Sequence, residues 1–357
     1  MRTLVATGCS SGLGLSALSL FIDRVIQQPS ASAARWQIIA GHRTTLSGDA
    51  DRLTARAAAY TEVIDLIWLP LDLRDTDNVE TFARRITDHH SVNRVEILFL
   101  NAAVWTNNLR VVDRRKNTWA EEAVVNHFSQ DHLIKLLLPL LEKAAASASE
   151  HAAIAPRIVY TTSSLHASIA STAEIPALLG PFPLSASPSP STVPQSTAKQ
   201  RYVASKLAAL MSAQSWKMKF ADQEGSAVID VLAVSPGFVP STGLSRESST
   251  LGRWVMQNLV SWAPLAVTEE EGARRLLRAL PHPASFSAAQ PDSADSDLFA
   301  LLTSSRSPTT PLVYLSGPST APLEEVQGKL GGAFMDWLAQ EEARGTTDAR
   351  GKSAEEY

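Results

Sequence analysis

The 357-residue chain has little of the chemistry on which several protein classes depend. It has one cysteine, Cys9, which excludes an internal disulfide and any cysteine-rich zinc or iron–sulfur site. Its 32 Lys and Arg against 36 Asp and Glu give a formal net charge of −4, so there is no basic excess to hold a phosphate backbone. We therefore expect no nucleic-acid partner.

Long hydrophobic runs are also missing. No stretch approaches the roughly 18 consecutive apolar residues of a membrane span, and the richest, Ile64–Leu71, is interrupted by Asp65 and Pro70. A strand-like run over Thr3–Ala6 meets a turn at Gly8, which leaves no room for a cleavable signal peptide. The apolar fraction of 45% and the charged fraction of 19% are typical of a globular chain. We expect a cytoplasmic protein without a membrane span.

The sequence does contain a regular alternation of strand-like and helix-like segments. β-Branched or apolar runs occur at Thr3–Ala6, Trp36–Ala40, Glu62–Leu71, Val95–Leu100, Arg157–Thr161, Val228–Val234 and Pro311–Leu315. The longest helical pattern between them covers Trp119–Ala146, where Pro139 is expected to kink or split the helix. This alternation predicts an α/β fold with a doubly wound, mostly parallel sheet of the Rossmann type, in a single domain over residues 1–343 with insertions.

Two stretches interrupt the alternation. Residues 176–197 contain six Pro and five Ser among 22 positions, which is too proline-rich for a helix or a central strand. This insertion is expected to shape a substrate entrance, because it lies between two candidate catalytic residues. Residues 281–308 mix Pro, Ser and Asp around the apolar patch Leu298–Leu302 and are predicted to form a solvent-exposed loop. The tail over 344–357 is predicted to fray.

The first strand-like run continues through a glycine turn into a helix. The turn reads Thr7-Gly8-Cys9-Ser10-Ser11-Gly12-Leu13-Gly14. Glycines let the backbone bend sharply and approach a pyrophosphate without a Cβ in the way, and a helix N-terminus offers free N–H groups and a positive dipole end. The position of the turn after the first strand therefore predicts a dinucleotide-phosphate site. A turn that merely needs positive φ is the alternative.

A second constellation points to proton transfer. Tyr202 and Lys206 are four positions apart, so in a helix they project from the same face. A phenol with a pKa of about 10 is a poor acid–base group at neutral pH, and a nearby ammonium lowers that pKa. A hydroxyl after the fifth strand-like run, from Ser163 or Ser164, would lie where open α/β sheets bind ligands and could hydrogen-bond a substrate oxygen.

The motifs occur in the order found in the short-chain dehydrogenase/reductase family, and the chain resembles that family from residue 3 to about residue 245. The spacing Gly8-x-x-x-Gly12-x-Gly14 resembles the family's cofactor signature. The resemblance implies that the following residues bind the cofactor: Gly8, Ser10, Ser11, Gly12, Leu13, Gly14, Arg43, Asp72, Leu73, Asn101, Ala102, Ala103, Tyr202, Lys206, Pro236, Gly237 and Thr242.

The same resemblance implies four catalytic residues. Tyr202 is expected to be the acid–base group, and Lys206 to tune its pKa and contact the ribose. In family members with paired serines the second matches the catalytic position, so Ser164 is favoured over Ser163 as the residue that binds the substrate oxygen. Asn126 resembles the family's helix-kinking asparagine, which supports a water leading to the lysine.

The end of the second strand-like run indicates which dinucleotide binds. NAD enzymes tend to place a carboxylate there, whereas an arginine can neutralise the 2′-phosphate of NADP. The run ends Ala40-Gly41-His42-Arg43, with no acid until Asp49. By resemblance, Arg43 stands where NADP-preferring members carry a basic residue, and a guanidinium suits phosphate geometry. The sequence therefore predicts NADP, with a solvated arginine as the alternative.

A long insertion narrows the resemblance further. Ser164 and Tyr202 are 202 − 164 = 38 positions apart, far more than in most short family members. The branch that contains light-dependent protochlorophyllide reductase also carries an insertion there, and residues 101–104, 236–244 and 268–272 resemble that branch. No cysteine is available near Tyr202 and the insertion lacks a pigment-binding signal, so we predict a dark reductase related to that branch.

The substrate is indicated only by an apolar segment. Residues 245–263 carry Leu, Val and Trp at helical spacing, which is typical of a core helix and, by resemblance, of a mobile substrate lid. A lid of this composition favours an apolar, aromatic or polycyclic small molecule. We therefore predict an NADP-dependent oxidoreductase that reduces a carbonyl or oxidises the matching secondary alcohol. The alternatives are a carbon–carbon double-bond reductase and a non-catalytic dinucleotide-binding regulator, and a homodimer is left open.

Overall fold

The computed structural model describes residues 1–28, 34–89, 91–114, 117–151, 154–182, 197–221, 228–239, 266–283, 293–307, 310–317, 330–337 and 339–340. The strands in these residues are β1 (Arg2–Thr7), β2 (Trp36–His42), β3 (Ile64–Pro70), β4 (Ile97–Leu100), β5 (Val111–Arg114), β6 (Asn117–Ala120), β7 (Arg157–Thr161), β8 (Asp230–Ser235) and β9 (Val313–Ser316). All but β5 and β6 form one seven-stranded sheet in the order β3-β2-β1-β4-β7-β8-β9. Every pairing in that sheet is parallel, so the predicted Rossmann-type sheet is confirmed.

Helices cover both faces of the sheet. They are α1 (Gly12–Ile26), α2 (Gly48–Ala58), α3 (Thr76–Thr87), α4 (Glu121–Ala123, a π-helical turn over Val124–Phe128, then Ser129–His151), α5 (Ile175–Leu179), α6 (Ala198–Ala221), α7 (Glu269–Ala279) and α8 (Ser293–Ser304). Helices α1, α2, α7 and α8 pack on one face, and α3 to α6 pack on the other.

The strands read as continuous apolar runs because both of their faces are buried. In β1, Val5 faces the core under α3, α4 and α6, whereas Leu4 and Ala6 face the core under α1 and α7. The order of strands reverses at β1, between β2 and β4, and the crevice at the carboxyl ends of these strands is where open α/β sheets bind ligands. The fold therefore brings the glycine turn after β1 to this crevice.

The helix predicted over Trp119–Ala146 differs from the structure at its start. Trp119 lies in β6, which pairs antiparallel with β5 in a separate hairpin that the sequence did not indicate. These four-residue strands mix polar and apolar side chains and carry no clear alternation. Pro139 lies inside α4 without ending it.

Two predicted irregular segments contain helix. The segment 176–197 was expected to be non-helical, but α5 includes Pro176 in its first turn, where the missing N–H is not needed. The segment 281–308 was expected to be a solvent-exposed loop, but α8 lies within it. Leu298 and Leu302 of α8 are only 2% and 3% exposed, so the apolar patch stabilises a helix against the sheet.

Several predicted features lie outside the described residues. They are most of the Pro/Ser-rich insertion (183–196), the lid segment (245–263) and the tail (344–357). The extent of the domain, 1–343, stays a prediction. Within the part of the chain that the structure describes, we find no helix with the length and hydrophobicity to cross a bilayer.

Candidate active site

The glycine turn after β1 has the backbone shape that its sequence predicts. Gly8 and Gly12 have φ values of +66° and +55°, which few other residues adopt without strain. A Cβ on Gly8 would lie 2.5 Å from the Cα of Ala102, so the turn packs directly against the loop after β4. Helix α1 then starts with no acidic residue in its first turn, which leaves its positive dipole end facing the crevice without a countercharge from that turn.

Asn101 joins the turn to the neighbouring strands. Its Nδ2 donates to the Gly8 carbonyl at 2.9 Å, and its Oδ1 accepts from the Thr161 hydroxyl at 3.1 Å. The Thr7 hydroxyl oxygen accepts from the main-chain N–H groups of Asn101 and Ala102, both at 3.1 Å. The segment Asn101-Ala102-Ala103 is thereby held at the carboxyl ends of β1, β4 and β7.

Arg43 lies just beyond β2, exposed at the edge of the crevice. Its positive charge acts on the carboxylates of Asp72 and Glu121, but it forms no ion pair with another described residue. Asp72 is instead bound by Arg74, whose Nη2 lies 2.6 Å from Oδ2, and this hydrogen bond is the main reason why the pKa of Asp72 lies below its usual value. Leu73 is buried beneath them. An accessible guanidinium is therefore present at the position predicted for a 2′-phosphate.

Tyr202, Lys206 and a serine converge at the carboxyl end of β7. Helix α6 places Tyr202 and Lys206 on one face, with Lys206 Nζ 5.8 Å from the centre of the Tyr202 ring. Lys206 Nζ donates to the Thr161 carbonyl at 2.9 Å. The side chain of Ser163 lies near enough to the Tyr202 hydroxyl to act on its pKa.

Of the two serines, Ser163 is the one whose side chain acts on the pKa of Tyr202, and the catalytic role predicted for Ser164 stays a prediction. Ser164 is exposed and opens a short 3₁₀ helix, where its N–H donates to the Ser235 hydroxyl at 3.2 Å. Beyond β7 the chain continues extended through Ser163, and successive side chains in extended backbone point in opposite directions. The side chains of Ser163 and Ser164 are therefore not expected to face Tyr202 together.

Burial dominates the proton affinities of the site. It raises the pKa of Tyr202 above its usual value, and the smaller effect of the Ser163 side chain acts in the opposite direction. It also lowers the pKa of Lys206 to about 7. The expected lowering of the tyrosine pKa by the lysine is not found, because Lys206 is itself desolvated and directs Nζ to a main-chain carbonyl. At neutral pH the phenol is therefore a proton donor.

Asn126 lies in the π-helical turn of α4 and is 2% exposed. Its Oδ1 accepts from the Val104 N–H at 2.7 Å, and its Nδ2 donates to the Val104 carbonyl at 3.0 Å and to the Ser205 hydroxyl at 2.8 Å. Asn126 thus ties the loop after β4 to the helix that carries Tyr202 and Lys206. Its predicted part in a water relay stays a prediction.

The remaining predicted cofactor residues follow β8. Gly237 has a φ of +87°, and a Cβ there would lie 2.7 Å from both Val267 and Arg275. The backbone after Pro236 therefore requires glycine to leave the sheet at this edge. Thr242 lies outside the described residues.

Sequence reasoning missed three residues around Tyr202. The indole of Trp105 stacks on the Tyr202 ring, with centroids 4.6 Å apart and an angle of 14° between the planes. Arg201 and Glu122 form a buried ion pair beside it, with Nε and Oε1 3.3 Å apart. A large aromatic side chain just after Asn101-Ala102-Ala103 was the only sequence signal, since the ion pair depends on contacts between distant elements.

No family model matches the chain, whereas individual relatives do. A short-chain dehydrogenase/reductase of Pestalotiopsis microspora is 32% identical over 278 residues, which cover 78% of this chain and 81% of the relative. The chloroplastic protochlorophyllide reductase of Chlamydomonas reinhardtii is 26% identical over 290 residues, covering 79% and 67% of the two chains.

Among solved structures, NADPH-bound carbonyl reductase from chicken fatty liver matches with a TM-score of 0.51 and 18% identity, covering 78% of this chain and 87% of that chain. This match shows the shared fold. The doubly wound parallel sheet and the helices on both of its faces define a Rossmann-type α/β protein. More specifically, the chain belongs to the short-chain dehydrogenase/reductase family of oxidoreductases. The predicted resemblance, including the likeness to protochlorophyllide reductase, is confirmed.

Proposed function

We propose that the chain is an NADP(H)-dependent oxidoreductase that reduces a carbonyl group of an apolar, aromatic or polycyclic small molecule, or oxidises the matching secondary alcohol. The observation that carries the proposal is the convergence of Tyr202, Ser163 and Lys206 at the carboxyl edge of the sheet, with Lys206 one helical turn away from the buried Tyr202. A proton donor and a second hydroxyl are thereby presented together to a substrate oxygen.

The residues present fit a dinucleotide. The positive end of α1 suits a pyrophosphate, and the exposed guanidinium of Arg43 suits a 2′-phosphate. An ammonium has three donors, of which Lys206 uses one on the described part of the chain, so two are available for ribose hydroxyls. When bound, the reduced nicotinamide supplies the hydride.

Three residues of the chain complete the reaction. Ser163 holds the carbonyl oxygen by a hydrogen bond, and Tyr202 donates its phenolic proton to that oxygen as it gains negative charge. Lys206 then stabilises the phenolate electrostatically. In the oxidation direction the phenolate takes the proton of the alcohol. Asn126 is proposed to support the path by which the proton is replaced.

The direct test is a cofactor-oxidation screen with aromatic and alicyclic ketones, run with NADPH and NADH in parallel. We expect turnover with NADPH. Tyr202→Phe is expected to lower kcat/KM by about 10²–10⁴-fold, because a general acid is lost, while the NADPH dissociation constant stays within about twofold. Undiminished turnover by this variant would exclude Tyr202 as the proton donor.

The two serines provide a matched pair. Ser163→Ala is expected to lower kcat/KM by about 10²-fold, as expected when a donor to the developing oxyanion is removed, whereas Ser164→Ala is expected to stay within about twofold. The same kinetic assay measures both. The opposite ranking would return the role to Ser164.

The cofactor preference is tested at Arg43. Arg43→Ala removes the charge that would pair with a 2′-phosphate, so the ratio of NADPH to NADH efficiency is expected to fall by about tenfold or more. Arg84→Ala, an exposed arginine on α3, is the control and leaves the ratio unchanged. An unchanged ratio in Arg43→Ala would favour the solvated-arginine alternative.

A second candidate reaction is reduction of a carbon–carbon double bond, which the similarity to protochlorophyllide reductase favours. Deuterium-labelled NADPH separates the two reactions, because carbonyl reduction places the label on the new alcohol carbon and double-bond reduction on a former alkene carbon. The products are compared in the dark and in light. NADPH binding without turnover of any substrate would instead support a dinucleotide-binding regulator.

A further inference from the structure

Trp105 lies between two residues whose main-chain polar groups are fully held. On one side, both the N–H and the carbonyl of Val104 are bound by the side chain of Asn126 at 2.7 and 3.0 Å. Such a two-point contact fixes the orientation of the peptide as well as its position. Because Asn126 also donates to Ser205 of α6, it holds the loop after β4 against the helix that carries Tyr202.

On the other side, Thr106 is bound by the buried ion pair. Its N–H and hydroxyl donate to Glu122 Oε1 at 3.3 and 2.6 Å, and its carbonyl accepts from Arg201 Nη2 at 2.9 Å. Arg201 is the residue before Tyr202 on α6. Both side chains of the pair are essentially inaccessible, with 2% and 0% exposure, so water competes little for these contacts.

The consequence is a rigidly placed indole. The Trp105 ring lies nearly parallel to the Tyr202 ring, and Trp105 is partly exposed whereas Tyr202 is buried. The reacting hydroxyl of Tyr202 is at the edge of this stack. A substrate oxygen that bonds both Tyr202 and Ser163 therefore carries its substituent past the exposed part of the indole.

We propose that Trp105 is a specificity-determining residue of the site: held against the Tyr202 phenol by Asn126 on one side and the Glu122–Arg201 pair on the other, it forms the wall on which a flat aromatic group next to the substrate carbonyl packs. Aromatic rings gain from offset or edge-to-face contact with an indole, and a puckered ring of similar size does not. This inference rests on the proposed reductase activity and names its substrate class as aryl ketones.

Two ketones of the same skeleton test it: acetophenone, with a flat ring, and cyclohexyl methyl ketone, with a puckered one. The readout is the ratio of their kcat/KM values with NADPH. Trp105→Leu keeps an apolar side chain but removes the flat ring, and we expect the ratio to fall about 5–10-fold. Trp105→Phe keeps a ring and should stay within about twofold. Thr106→Val removes the hydroxyl that donates to Glu122. It should lower the ratio as Trp105→Leu does, but by a smaller factor.

Trp68→Leu is the matched control, a half-buried tryptophan on the edge strand β3, and should leave the ratio unchanged. Thermal unfolding shows which variants are folded. If Trp105→Leu is unfolded, Thr106→Val keeps the test open, and an unchanged ratio in that variant overturns the inference. A ratio within twofold of wild type in folded Trp105→Leu overturns the inference.

Ligand-observed NMR binding of the two ketones to the NADPH-loaded protein separates failure of the inference from failure of the proposed function. If wild type shows no turnover, and binding of the aryl ketone is weaker in Trp105→Leu but not in Trp68→Leu, the proposed reductase activity is rejected. The proposal that Trp105 forms a wall for the aromatic group is then supported. Equal binding of the aryl ketone by wild type and Trp105→Leu rejects the proposal that Trp105 forms a wall for the substrate.

Discussion

Helix α6 carries two buried lysines whose surroundings differ sharply. Lys206 and Lys217 are 217 − 206 = 11 positions apart, about three helical turns, so both lie on one face of the helix. Lys217 Nζ donates to the Ser307 carbonyl and to the carbonyl and hydroxyl of Thr310, at 2.6, 2.5 and 2.9 Å. Lys206 Nζ has one acceptor among the described residues, the Thr161 carbonyl.

The difference indicates that Lys217 has a structural role, whereas Lys206 belongs to the candidate active site. Three oxygens use all the donors of the Lys217 ammonium, and its pKa is lowered by burial to about 8. On the described part of the chain Lys206 has two donors left, and its pKa is lowered by burial to about 7. A buried cation that is under-satisfied beside a crevice indicates a ligand more strongly than burial or a sequence motif does alone.

Of the changes that test this difference between the two lysines, the largest effect on turnover is expected at Lys206. Lys206→Met is expected to lower kcat/KM for ketone reduction by about 10²–10³-fold, because the phenolate left by Tyr202 loses its cation. Its free energy of unfolding should not fall, since a poorly compensated buried charge is removed. Steady-state kinetics and urea denaturation measure the two quantities. A destabilised but fully active Lys206→Met would show that Lys206 is structural.

The next largest effect is expected in the pH dependence of kcat/KM. Because the pKa of Lys206 lies at about 7, the ammonium is present below that pH and is lost above it. The kcat/KM for reduction should therefore fall as pH rises through about 7, by up to about tenfold per pH unit. The pKa of Tyr202 is raised, so the phenol stays protonated throughout this window. The falling limb should be absent in Lys206→Met, and its persistence there would assign it to another group.

The smallest effect on turnover is expected at Lys217. Lys217→Met removes three buried hydrogen bonds to oxygens of Ser307 and Thr310, so the free energy of unfolding should fall by about 1–3 kcal/mol, while kcat/KM stays within about twofold. Urea denaturation and the same kinetic assay measure both. A loss of turnover comparable to that of Lys206→Met would remove the distinction between the two lysines.

Much of the fold was predictable because its signals are local. All seven predicted strands form, since a parallel sheet buried on both faces requires continuous apolar runs. The spacing of Tyr202 and Lys206 on a helix, and the glycine turn after β1, are also local patterns. Helix α8 was missed because Leu298 and Leu302 form a short patch among proline and serine, where packing against the sheet rather than sequence periodicity decides the structure.

The contacts of the site were less predictable because they join distant parts of the chain. A single residue step decides whether Ser163 or Ser164 faces Tyr202, and local patterns do not resolve it. Trp105 stacks on Tyr202, and its neighbours are held by Asn126, Glu122 and Arg201, which are distant from it in sequence. Burial also reversed the expected change in the tyrosine pKa, since desolvation depends on everything packed around the phenol.

The hydroxyl of Thr7 has a consequence for how ligands enter. One oxygen at the end of β1 accepts the N–H groups that open the loop after β4, and Asn101 returns a hydrogen bond to Gly8. The two loops are thus held together in the folded protein before any ligand binds. The entropy cost of ordering them arises during folding and not on binding.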